Sequence, residues 1–131
     1  MKKQLTVTLG ALVATVMAGS AIVWQATAAD DKEDAIKEVM KTYHKAPKGT
    51  DPVCKRASEG NATPDELKKL VAAYKVLAAA KAPKGDEASW KEKTGKLLKA
   101  ATALQKGAPD AAAAYKEAVN CKACHSVHKP D

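Results

Sequence analysis

The sequence predicts an all-α fold, an antiparallel four-helix bundle formed by residues 29–131 as a single domain. Three observations predict it. Four stretches carry apolar residues at i, i+3, i+4 and i+7, no stretch alternates with the period of two that a strand requires, and short connectors join the last three helices.

The first helix is expected from about Asp31 to Lys45, capped by Asp30 or Asp31, with Ile36, Val39, Met40 and Tyr43 on one face. The link from Ala46 to Ala62 holds Pro47, Gly49, Pro52, Gly60 and Asn61, too many breakers for one helix, although Pro52 to Ser58 suits a helical turn or two. Thr63-Pro64-Asp65-Glu66 opens the second helix as a capping box with proline at the first helical position. Its apolar face runs Leu67, Leu70, Val71, Tyr74 and Leu77, and Ala82-Pro83-Lys84-Gly85 ends it. The third starts at Asp86 or Ser89, follows Trp90, Thr94, Leu97, Leu98, Ala101 and Leu104, and stops at Gly107, a residue suited to the left-handed terminator. Gly95 within it costs about 1 kcal/mol relative to alanine, so a close approach by a neighbour is expected there. The fourth, capped by Asp110, runs through Ala114, Tyr115, Ala118 and Val119 and continues into Cys121, Cys124 and His125.

Residues 1–28 read as a secretory signal. Met1-Lys2-Lys3 is a positive start, Leu5 to Trp24 is uncharged, and Ala26-Thr27-Ala28 fits the small-x-small cleavage pattern, so removal is expected after Ala28 or Ala29. An uncleaved anchor is the alternative, since about 20 apolar residues span a bilayer. Gly10, Gly19, Ser20 and four threonines up to Thr27 dilute the stretch and argue for cleavage. The expected location is the periplasm or another exported compartment, with no membrane association once the signal is gone.

Charge narrows the partners. The chain has 22 Lys+Arg against 15 Asp+Glu, a net +7, and loss of Lys2 and Lys3 leaves +5. Every basic residue except Arg56 is lysine, and the lysines are spread along all the helices. Much of that is ordinary solubility, and the remainder steers toward an acidic partner. Nucleic acid is not expected, because the lysines do not cluster and aromatics are only 4%.

The chemistry is concentrated in Cys121-Lys122-Ala123-Cys124-His125. Cys-x-x-Cys-His is the spacing at which two thiols reach the two vinyl groups of one haem and the next imidazole reaches its iron, so one covalently attached haem c per chain is expected on the last helix. A thioredoxin-like pair would sit where a strand enters a helix. Here the pair is expected to close an alanine-rich helix, where the dipole opposes a thiolate. A zinc site would recruit Cys121, Cys124, His125 and His128, four ligands crowded into eight residues that make a poor tetrahedron. The remaining thiol, Cys54, reads as a small buried hydrophobe, with pairing between two chains as the alternative.

An exported four-helix chain with Cys121 to His125 a few residues from its C-terminus resembles the cytochrome c-prime family, the class II c-type cytochromes. The segments Glu38 to Lys45, Pro83 to Lys91 and Cys121 to Lys129 also resemble a planctomycete-type branch of small haem proteins. The resemblance implies thioethers at Cys121 and Cys124 and His125 as the proximal ligand. It also implies a possible homodimer through the outer faces of the first two helices. Where the family commonly carries an aromatic residue or arginine, three positions beyond the ligand histidine, this chain has His128, read as a solvated residue beside a haem propionate and not as a ligand.

The distal ligand separates two functions. In the family an apolar or aromatic distal residue leaves the iron open to nitric oxide or carbon monoxide, whereas a methionine fills the site and the protein carries electrons. This chain offers Met40 and His44, four residues apart and therefore on one helical face, with His44 slightly ahead. The expectation is an electron carrier with an acidic redox partner, and a five-coordinate gas-binding protein is the alternative. An enzyme is not expected, because no nucleophile-base pair has a recognisable spacing.

Overall fold

The computed structural model describes residues 27–131. The expected signal lies outside the described residues except for Thr27 and Ala28, which begin α1. Six helices are present and no strand among the described residues: α1 Thr27–Tyr43, α2 Val53–Ser58, α3 Pro64–Ala79, α4 Glu87–Gln105, α5 Ala111–Ala118 and α6 Cys121–His128. No helix among the described residues is long and apolar enough to cross a membrane.

Helix α1 starts four residues ahead of the expected Asp31, because Ala28 and Ala29 are strong helix formers. The capping box of α3 is complete: Glu66 N donates to Thr63 Oγ1 at 3.2 Å and Thr63 N donates to the Glu66 carboxylate at 2.9 Å. Arg56 of α2 pairs with that same Glu66, tying the long link to the start of α3. Asp86 caps α4 by accepting from Ser89 N at 2.7 Å. The other end of α4 closes in a Schellman arrangement, with Gly107 N on Leu104 O and Ala108 N on Ala103 O, both 3.0 Å, and Gly107 at φ 66°.

The core lies where α3 and α4 meet, with α1 on α3, α5 on α4, and short α2 bridging α3 and α5. Ile36 and Val39 from α1, Leu70, Val71, Tyr74 and Leu77 from α3, Trp90, Leu97 and Ala101 from α4, and Tyr115 from α5 form one buried cluster. Met40, Tyr43, Leu67, Leu98, Leu104, Ala118 and Val119 pack half-buried against it, whereas Ala114 is exposed. Cys54 is buried, as a small hydrophobe would be.

The expected fourth helix is two helices. Val119 ends α5 with a backbone bond to Tyr115 O, and Asn120 caps a new helix by accepting from Ala123 N at 3.0 Å. Asparagine competes with the backbone ladder through its own side chain, so it stops one helix as readily as it starts the next. Asp110, the expected cap of this segment, adopts φ 56° and makes no capping bond with its side chain. Among the protein's own segments the close approach is at Gly85 and not at Gly95. A Cβ on Gly85 would lie 2.8 Å from Val127 O, whereas one on Gly95 would meet nothing within 4 Å.

Candidate functional site

Because Asn120 starts a new helix, Cys121 stands at the first position of α6, with Cys124 one turn later and His125 beside it. Cys121 and His125 are exposed and Cys124 is half-buried. The expectation that a helix dipole opposes a thiolate at this pair is therefore reversed for Cys121, which sits at the favourable end. The thioredoxin-like alternative lacks its usual frame nonetheless, since a helix and not a strand leads into the pair.

Helix α6 is aimed by its far end. His128, expected in solvent, is 2% exposed. Its Nδ1 donates to Lys84 O at 2.8 Å, its Nε2 pairs with Ser89 Oγ at 3.1 Å, and its ring meets Trp90 edge-on with centroids 5.4 Å apart. These contacts leave neither ring nitrogen for a metal and hold α6 against the loop before α4. Gly85 lets that loop come within reach of Val127. Lys84 adds an ion pair to Asp131 at 2.8 Å.

So held, α6 faces the C-terminal part of α1 across a shared apolar wall. A narrow cleft is lined by Cys121, Cys124 and His125 on one side, Met40 and His44 on the other, and Leu77, Trp90 and Leu97 beneath. A wider cleft of about 440 Å³ shares Met40, Trp90, Cys124 and His125 with it and is rimmed by Lys37, Lys41, Lys45 and Lys129. That volume falls within the range of roughly 300–1,000 Å³ typical of cofactor sites, whereas the narrow cleft, which alone is lined by Cys121 and His44, measures about 50 Å³. All five residues predicted for the site thus come together, three from α6, Met40 from α1 and His44 from just past the end of α1.

Burial favours the neutral forms of His44 and Cys124. Burial, and secondly the charge of His125, push His44 down to about 4, so its ring is uncharged at neutral pH. Burial raises the Cys124 thiol, with Lys93 opposing. Burial first, and then Cys121, raise Cys54, which places that third thiol in the electrostatic neighbourhood of the site. Tyr74 and Tyr115 are both raised, chiefly by burial, and stay protonated throughout the ordinary range.

Two residues read from sequence only as core prove to belong to the site. The Tyr74 hydroxyl lies 3.1 Å from His44 Nε2 and 2.6 Å from the Tyr115 hydroxyl. The available signal was chemical: a tyrosine on an apolar helix face buries a polar tip that needs a partner.

The donor set fits haem better than a bare ion. Among the described residues no group of three or more His, Cys, Asp or Glu side chains is gathered to hold a metal. A porphyrin brings four nitrogens of its own, so one or two protein ligands suffice, and the two thiols lie on the same helix as the proximal candidate. Comparison with family models, with curated proteins and with solved structures finds no match to this chain.

Proposed function

We propose that this chain is an exported c-type cytochrome that carries electrons and is not an enzyme. In this reading Cys121 and Cys124 hold one haem c by thioether bonds, His125 is the proximal ligand, and Met40 or His44 is the distal one. The observation that carries it is the single cleft in which the Cys-x-x-Cys-His motif of α6 confronts Met40 of α1 and His44 just past its end. Haem, when bound, supplies one-electron exchange between ferric and ferrous iron.

The chain's own residues account for the rest. The α6 helix presents both thiols and an imidazole whose side chain makes no hydrogen bond among the described residues. Leu77, Trp90 and Leu97 keep water from the buried side. Lysines 37, 41, 45 and 129 outnumber Glu33 and Asp131 on the open side, and although Lys37 is paired with Glu33, the excess positive charge would draw in an acidic redox partner and meet haem carboxylates. An antiparallel four-helix arrangement, with α5 and α6 together serving as the fourth element, is part of the same proposal. So are periplasmic export after removal of residues 1–28, the absence of a nucleic-acid role and a possible homodimer.

The test is pigment retention. Colour should stay on the chain through acid-acetone extraction and denaturing electrophoresis, and Cys121→Ser or Cys124→Ser should weaken that retention. Complete release of pigment from the unaltered chain would sink the reading. Mass spectrometry of the natural product should find the mature chain starting at Ala29 or Asp30.

A further inference from the structure

Hydrogen bonding in the core bears on which distal group reaches iron. Tyr74 and Tyr115 are both 0% exposed, so each phenolic hydrogen needs an acceptor inside the protein. Tyr115 has one side-chain partner among the described residues, the Tyr74 oxygen at 2.6 Å, so its hydrogen points there. The hydrogen of Tyr74 is then directed to His44 Nε2 at 3.1 Å. The opposite polarity would leave the Tyr115 hydrogen buried with no acceptor.

This polarity fixes the tautomer. A neutral imidazole has one nitrogen that donates and one that accepts, so if Nε2 accepts, Nδ1 carries the hydrogen. The one lone pair that His44 could offer a metal is therefore already engaged. Met40, one helical turn earlier, lines both clefts, and its thioether has no hydrogen-bond partner among the described residues.

We infer that Tyr74, backed by Tyr115, selects Met40 over His44 as the distal iron ligand by occupying the lone pair that His44 would need. The inference rests on the haem reading above. Tyr74 acts here as a positioning residue that works through His44. Removing its hydroxyl would free the His44 imidazole, a firmer ligand for ferric haem iron than the Met40 thioether, so that in the haem-loaded chain His44 would take the place of Met40 and the potential would fall.

The experiment uses the purified holoprotein. Ferric wild type should display the far-red methionine charge-transfer band, and Tyr74→Phe should lose it and shift to a lower midpoint potential. Adding His44→Gln to Tyr74→Phe should restore both, since no imidazole then competes. Tyr115→Phe, which leaves Tyr74 its acceptor, should keep the band. A Tyr74→Phe protein that retains the band and the potential, or turns high spin, overturns the inference, as does a wild type with paired histidine ligands. Should Tyr74→Phe not fold, nitrogen-15 spectra of the ferrous wild type decide. A hydrogen-bonded, unprotonated Nε2 on His44 supports the inference, and an iron-bound one overturns it. Release of all pigment from the wild type is read first, and it overturns the haem reading and this inference together.

Discussion

His128 on α6 and Trp90 on α4 meet edge to face, with centroids 5.4 Å apart and planes inclined by 75°. The same imidazole bonds Lys84 O and Ser89 Oγ, so one side chain fastens the motif helix to the rest of the core. His128→Phe keeps an aromatic ring against Trp90 and removes both hydrogen bonds, leaving a carbonyl without its donor. A loss of about 1–3 kcal/mol is expected by denaturant unfolding. An unchanged midpoint would mean that α6 is held by other contacts.

The two glycines flanking the Trp90 region should respond with opposite signs. Gly85 has φ 80°, and a Cβ there would collide with Val127 O at 2.8 Å, so Gly85→Ala should cost about 1–3 kcal/mol and disturb the pigment spectrum. Gly95 lies inside α4 with open space around it, so Gly95→Ala should stabilise by about 0.5–1 kcal/mol. Equal effects at the two positions would contradict this assignment.

Met40→Ala removes the thioether that lines both clefts. The ferrous protein should then change from low to high spin and bind carbon monoxide, which optical titration measures directly. A wild type that is already high spin and takes up carbon monoxide rapidly would replace the electron-carrier reading with gas binding.

His44 gives stability a pH signature. Burial lowers its folded pKa to about 4 from an ordinary value of 6.5. Between those values the unfolded chain holds the proton that the folded chain refuses, so the stability present above pH 6.5 is lost as pH falls toward 4 and changes no further below it. Guanidinium midpoints measured at pH 7 and pH 4.5 should differ less in His44→Gln than in wild type. An identical pH difference in the two proteins would show that His44 titrates normally.

Helix boundaries were largely legible because their signals are local. Thr63-Pro64-Asp65-Glu66 forms its capping box, Asp86 caps α4 and Gly107 closes it, each through contacts within five residues. Asn120 was equally local, since asparagine is as good a cap as Asp86, yet the alanine-rich run before it masked the break. Gly85 and Gly95 could not be ranked, because a close approach depends on what another segment brings alongside.

By itself the sequence determined the helical periodicity, the Cys-x-x-Cys-His spacing and the presence of two competent donors one turn apart on the first helix. These follow from covalent reach and from 3.6 residues per turn, which act over a few residues. Only the tertiary structure decided that His128 is buried, that Tyr74 and Tyr115 join His44 in one hydrogen-bonded chain, and that Met40 faces His125 across a cleft. Those relations join residues about thirty to eighty-five positions apart. They arise because buried polar atoms must find partners wherever packing brings them, and no local pattern encodes that.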